Sequence, residues 1–315
     1  MKAEPSARYD CLRGKTRLEP GNNVASRITY RSYAKINLYL DVIGRRRDGY
    51  HNIETIFQSV SLFDELHFED GEPRVTLSCS MPELDTADSN LVYRAAMLLK
   101  QRTGYTGGAR IRLEKNIPIA AGLAGGSGNA AATLVALDAL WELHLSPRQL
   151  HALALELGSD VPFCIVGGTM AALKRGEFLT PLPPLREVWL VLIHPPIAVS
   201  ASRVYNNPKL EHSSETPFAG RTASFRKAIR ALARNDLGRF VFNRMESAVF
   251  SEYPDLKETK ARLMDAGCLA AAMSGSGPTL FGVCSSRNDA RRIAESFKEF
   301  RTSVVTTVPY GVERI

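Results

Sequence analysis

The chain lacks the marks of a membrane protein, a disulfide scaffold or a zinc protein. No apolar run approaches the ~20 residues that a bilayer span requires. The five cysteines (Cys11, Cys79, Cys164, Cys268 and Cys284) are dispersed and form no C-x-x-C pair. That pattern points to a reducing, cytoplasmic setting and away from a cystine framework. Six histidines produce no H-E-x-x-H, so a structural or catalytic zinc is not expected. Internal repeats and low-complexity tracts are also missing.

Two common phosphate motifs are absent as well. Gly14-Lys15-Thr16 has the ending of a P-loop, but position 9 is Tyr9 instead of glycine and no apolar strand precedes it. Gly126-Ser127-Gly128-Asn129-Ala130-Ala131 spells G-x-G-x-x-A. A dinucleotide fold needs that motif in a tight turn directly after a strand, with an acid ~20 residues on. Here a Pro-containing segment intervenes, and the first acid, Asp138, lies within the same helical run. The net charge of +7 comes without aromatic-basic motifs, and its longest run is Arg45-Arg46-Arg47 in a turn. It reads as a solvated surface, so no nucleic-acid partner is expected.

What the chain does have is a small-residue stretch, Pro118-Ile119-Ala120-Ala121-Gly122-Leu123-Ala124-Gly125-Gly126-Ser127-Gly128, between a strand-like run at 109–113 and an Ala/Leu-rich helix expected over Asn129–Leu143. Small side chains let backbone N–H groups approach an anion, and the helix start adds its positive dipole end. Nucleotide phosphates are the natural ligand, although most glycine-rich loops are simply surface loops.

Residues 1–26 are polar and mixed in charge, with no apolar segment. They are expected to be a poorly ordered extension, neither a secretory signal nor, given Glu4, Asp10 and Glu19, a transit peptide. From Ala34 to Val42 apolar residues alternate strictly, predicting a half-buried strand with Lys35, Asn37, Tyr39 and Asp41 together on the side away from the core. A turn at Gly44–Gly49 leads to Tyr50-His51. Arg74–Cys79 predicts a strand, and Asn90 a cap for a helix from Leu91 to about Gln101. Ser146-Pro147 starts a helix that Gly158 ends, and Asp160 follows directly. A second half begins near Arg186, with strands at Val188–Ile193, Leu269–Met273, Leu280–Cys284 and Ser303–Val308. Two or three helices span 222–265, and another covers Asp289–Phe300. This order suits an α+β sandwich with helices on one face of an antiparallel sheet.

The segment Pro118–Ala131 resembles the second motif of the GHMP small-molecule kinases, P-x-x-x-G-L followed by small residues. Ala34–Leu38, Arg47–His51, Gly158–Phe163 and Met273–Thr279 resemble four further marks of one branch of that superfamily, in the same order. The resemblance covers roughly residues 27–315. It implies an ATP-binding, catalytic N-terminal α/β domain of ribosomal-S5-like type over 27–185, and a ferredoxin-like α+β domain over 186–315. It also implies phosphorylation of the 2-hydroxyl of a cytidine diphosphate polyol by ATP with Mg²⁺. Carried over position by position, Lys35 and Asp160 become the catalytic pair and 118–128 the phosphate loop, with Ser127 available to Mg²⁺. Asn90 and Lys115 would lie near the adenine. Asn37 would hold the substrate, and Tyr50 and Tyr205 would stack on the cytosine with His51 bonding its edge. Gly275, Ser276 and Gly277 would close over the acceptor. Departures are Ala124 for a usual glycine, Gly128 for a usual serine, and Ala201 for a usual threonine, for which Ser200 or Ser202 would substitute.

Three other readings stay open on sequence grounds: a mevalonate- or homoserine-type kinase of the same superfamily, a basic RNA-binding protein of related topology, and a non-catalytic nucleotide sensor. With neither a heptad seam nor an apolar patch visible in the sequence, a monomer or weak homodimer is expected.

Overall fold

A computed structural model describes residues 26–315, so the expected extension at 1–26 lies outside the described residues except for Ser26. The alternating run lies within a long strand, β1 (Arg27–Arg45), which pairs antiparallel with the equally long β2 (His51–Glu69). The strands β3 (Thr76–Cys79), β4 (Arg110–Glu114), β5 (Thr169–Lys174) and β6 (Phe178–Pro181) extend this first sheet. The helices α1 (Leu91–Thr103), α2 (Gly125–Leu140), α3 (Pro147–Leu157) and α4 (Val161–Val166) cover one of its faces. Their core joins Tyr30, Phe57, Phe68 and Ile111 to Leu99, Leu134, Leu150 and Phe163.

The second half contributes β7 (Trp189–His194), α5 (Ala201–Tyr205), α6 (Ala223–Ala233), the two-residue β8 (Phe242–Asn243), α7 (Glu246–Glu252) and α8 (Pro254–Asp265). It ends with β9 (Ala270–Met273), β10 (Leu280–Cys284), α9 (Arg287–Glu295), β11 (Arg301–Thr306) and β12 (Val312–Arg314). The second sheet is antiparallel in the order β11-β7-β10-β9. Its inner face (Leu190, Leu192, Phe281, Val283) packs on Ile36, Leu38, Ile56 and Val60 of the first sheet. The last strand returns to pair with β1, as does β8. The boundary expected at 185/186 falls in the connection between β6 and β7.

The local signals mostly hold. Ser146 and Gln149 form a reciprocal capping box at the start of α3, with Pro147 in its first turn. Two expectations need correction. The register of β1 shifts between Asn37 and Tyr39, leaving Leu38 as an extra residue. A bulge of this kind reverses the facing of the residues that follow it, here up to the next register shift after Val42. Lys35 and Asn37 therefore share a cleft with Leu40, while Tyr39 and Asp41 line a cleft on the opposite side. The second correction concerns α2, which begins at Gly125 instead of Asn129. Gly125 is a packing requirement there, because a Cβ on it would lie 2.9 Å from Ile117 Cγ2 and 3.0 Å from Lys115 Nζ.

Candidate active site

A cleft of about 750 Å³ opens between the two halves, lined at one end by Lys35, Gly122, Ala124, Ser127, Asp160 and Gly275. Lys35 is 4% exposed and Asn37 2%. Both are buried, whereas the alternation had predicted a side away from the core. The Lys35 ammonium donates to Asn37 Oδ1 at 2.8 Å and to Gly122 O at 3.0 Å, and lies 3.8 Å from Asp160 Oδ2. Asn37 is fixed in turn, its Nδ2 donating to Thr55 Oγ1 at 2.8 Å. Asn37 thus aims the lysine by an arrangement that sequence alone did not suggest. Asp160 sits at the head of α4, and its negative charge adds to burial in keeping the Cys164 thiol protonated.

The glycine segment holds its shape with Ala120, Gly122 and Ala124 all at positive φ (50°, 74° and 55°). The first bond inside α2 runs from Gly128 N–H to Ala124 O. The N–H groups just before it therefore have no acceptor in the helix and are left for a ligand. Ser127 is in this first turn and lines the cleft. A Cβ at position 128 would instead meet Ser32 and Tyr33 O on β1, so Gly128 serves close packing of helix on strand. Pro118, Ile119, Ala120 and Ala121 form the approach to the loop, with Ile119 exposed and Ala121 buried.

The loop is held from beneath by Asp64, a fully buried carboxylate absent from the sequence reading. It accepts from Lys115 Nζ (2.6 Å), Asn116 N (2.7 Å), Ile117 N (2.8 Å) and Asn129 Nδ2 (2.8 Å). Burial pushes the Lys115 amine down, and Asp64 opposes that shift. Asn90 caps α1 through Val92 N and donates to Asp85 O. Neither Lys115 nor Asn90 lines the cleft.

Across the cleft, the Ser274–Thr279 loop locks onto the glycine segment. Ser274 Oγ donates to Gly122 O at 2.9 Å, and Asn243 Nδ2 donates to both Met273 O and Gly275 O at 2.7 Å. Gly275 and Ser276 line the cleft, while Gly277, buried against Met273, does not.

At the other end, the buried His51 ring stacks on Tyr205, with centroids 5.0 Å apart and planes 20° apart. Burial first, then His212 and Arg45, holds His51 below the ordinary histidine value. Tyr50 stands exposed on the rim, with the Arg175 guanidinium 4.8 Å over its ring. Ser202 lines the cleft beside Ala201, whereas Ser200 does not. Arg45, Asp48 and Arg175 are lining charges to which the sequence reading gave no role. Arg175 comes from a turn with no motif to mark it.

These features place a glycine-rich loop and a helix start beside a lysine–aspartate pair, a layout suited to a small-molecule phosphotransferase. The chain belongs to the GHMP kinases. The GHMP kinases N terminal domain matches residues 90–168, and the GHMP kinases C terminal domain matches 215–301. It is accordingly an ATP-dependent small-molecule kinase. It is 44% identical over 284 residues to the 4-diphosphocytidyl-2-C-methyl-D-erythritol kinase of Moorella thermoacetica, covering 89% of this chain and 98% of that one. The kinase of the same name from Pelotomaculum thermopropionicum is 42% identical over 281 residues, with 89% and 97% covered. A crystal structure of 4-(cytidine 5'-diphospho)-2C-methyl-D-erythritol kinase aligns with a TM-score of 0.75 at 36% identity, covering 89% of this chain and 98% of that chain. Homoserine kinase from Cytophaga hutchinsonii aligns at 0.72 with 19% identity, over 95% and 100% of the two chains, and shares the fold.

Proposed function

We propose that the chain transfers the terminal phosphoryl group of ATP to the 2-hydroxyl of 4-diphosphocytidyl-2-C-methyl-D-erythritol, a step in making isoprenoid precursors without mevalonate. The observation that carries this reading is one cleft with two chemically distinct ends: the Lys35–Asp160 pair at 3.8 Å beside the glycine loop, and the His51–Tyr205 stack at the other. A mevalonate- or homoserine-type acceptor has no base and leaves the aromatic end without a partner.

Phosphoryl transfer to an alcohol asks a protein mainly for positioning and neutralisation of charge. Asp160 orients the acceptor hydroxyl and takes its proton as the O–P bond forms. Lys35, held by Asn37 and Gly122 O, stabilises the negative charge growing on the attacking oxygen. The free N–H groups at the start of α2 and the residues of 118–128 receive the nucleotide phosphates. Lys115, its amine already engaged by Asp64 and Ile117 O, contributes by holding that loop in place. No cluster of three or more acidic, histidine or cysteine side chains suited to a metal occurs among the described residues. A donor set of one hydroxyl, Ser127 Oγ, with Asp160 nearby suits Mg²⁺ carried largely by phosphate oxygens. When bound, Mg²⁺ neutralises phosphate charge. Neutral His51 offers a hydrogen bond to the base edge, and Tyr205 and Tyr50 offer ring faces.

The test is product analysis. Incubation with Mg-ATP and the cytidyl polyol should release ADP and give a new phosphomonoester at the 2-position by ³¹P NMR. Phosphorylation elsewhere on the polyol, or ADP release without transfer, would refute the assignment.

A further inference from the structure

Behind the active cleft, across the β1–β8 pair, lies a second cleft of about 700 Å³. Its charged walls carry five cations, Lys227, Arg230, Arg234, Arg239 and Arg244, against two carboxylates, Asp41 and Asp236. Both carboxylates are already paired, Asp236 with Arg239 at 3.0 Å and Asp41 with Arg244. Arg230 and Arg234 form no ion pair among the described residues, and Lys227 has only the longer-range attraction of Glu215, which bonds Ser224 at the start of the same helix. Lys227, Arg230 and Arg234 follow one another at three- and four-residue spacing along α6 and its end, so they share a helix face. Like charges so placed repel one another, and no acid on α6 offsets them. The remaining wall is aromatic: Tyr39 and Phe242 pack with ring centroids 5.6 Å apart, and Phe242 is 37% exposed.

This cleft shares its partition with the active one. Phe242 and Arg244 line the second cleft, while Met245 lines the first. Between them, Asn243 carries the Gly275 carbonyl of the acceptor loop. On the neighbouring strand Tyr39 lines the second cleft and Leu40 the first. A ligand that draws on Arg244 or Phe242 therefore acts on the two-residue strand that positions the loop.

We propose that this second cleft is an effector site for a small organic diphosphate. Its anionic end is taken by Lys227, Arg230 and Arg234 and its apolar body by Phe242, and its occupancy alters acceptor binding through Asn243. Three cations on one side, Arg230 and Arg234 without an ion-pair partner among the described residues, match a polyanion better than a single carboxylate. The aromatic wall favours an organic diphosphate over pyrophosphate alone.

The test is calorimetric titration of the full chain with butyl diphosphate, in the presence of saturating Mg²⁺ and a non-hydrolysable ATP analogue, so that the nucleotide loop is filled. One saturable site is expected, weakened at least about tenfold in an Arg230→Glu/Arg234→Glu variant. Both positions are exposed, so the variant should fold and keep its unliganded kcat and KM within about twofold. Butyl diphosphate should also shift the acceptor KM of the native chain at least about twofold and leave the variant unaffected. Absence of saturable binding, equal binding by the variant, or binding without any change in acceptor KM overturns the proposal. Variant-sensitive capture of a short oligoribonucleotide with no diphosphate binding overturns it too. The titration does not depend on turnover, so failure of the kinase assignment would show separately, as absence of phosphorylated product.

Discussion

A Cβ placed on Gly122 would lie 2.0 Å from the carbonyl oxygen of Ser274. The glycine loop of the first half and the Ser274–Thr279 loop of the second touch there, backbone against backbone. Gly122 also has a φ of 74°, a conformation that costs an L-residue about 1–2 kcal/mol. Gly122→Ala should therefore lose stability by roughly that amount or more and part the two loops, lowering kcat about 100-fold or more. Urea midpoints and steady-state kinetics measure the two effects. An active, fully stable variant would show that the loops need not meet.

Asp160 and Lys35 should separate by what each does besides chemistry. Asp160 has a side chain one-third exposed, so Asp160→Asn should unfold at the native midpoint while kcat falls about 10²–10⁴-fold. Lys35→Ala should lose activity to a similar degree. It also leaves the buried Asn37 Oδ1 without its donor, which should cost about 1–3 kcal/mol of stability. Equal thermal midpoints for the two variants would contradict this division.

The aromatic end should govern binding of one substrate only. Tyr205→Ala should raise KM for the cytidyl acceptor about 10-fold or more, from a base–aromatic contact worth about 1–3 kcal/mol, and leave KM for ATP alone. Because burial keeps His51 neutral at pH 7, the acceptor KM should be flat at neutral and higher pH. It should rise only as pH drops below the ordinary histidine value of 6.5 and the ring takes a proton. In His51→Gln that rise should disappear, as a pH series of initial rates would show.

His194 supplies a pH test of stability. It is buried between Thr279 Oγ1 (3.3 Å) and Ser303 Oγ (3.0 Å). Burial, with a smaller push from Arg301, lowers it from 6.5 to about 4. Below about pH 6.5 the unfolded chain gains a proton that the folded chain refuses, so stability is full above that pH and falls as pH drops toward 4. The loss is at most about 3 kcal/mol. His194→Gln should flatten the urea midpoint across that window. An unchanged slope would place the acid sensitivity elsewhere.

Local chemistry made much of this site legible before any coordinates. The helix cap at Ser146, the turn before Tyr50-His51 and the small residues from Gly122 to Gly128 announce themselves within a few positions. What stayed hidden depends on distant parts of the chain. Strict alternation put Tyr39 and Asp41 beside Lys35, and only the pairing of β1 with β2 reveals the bulge at Leu38. Asp64 was an unremarked acid because its four donors come from residues 115–117 and 129. Helix α2 starts earlier than its composition suggests, since the cost of glycines in its first turn is offset by packing against Ile117 and Ser32. The resemblance carried Tyr50 to the base, but the buried stacking partner of Tyr205 is His51, with Tyr50 on the rim under Arg175.

The central claim is that one acceptor spans both ends of the cleft. The most direct measurement compares kcat/KM for the cytidyl polyol with that for the same polyol phosphate lacking cytidine, at saturating Mg-ATP. The account predicts that removing cytidine lowers kcat/KM at least about 100-fold in the native chain, and that Tyr205→Ala closes most of that gap. Equal kcat/KM for the two acceptors would contradict it.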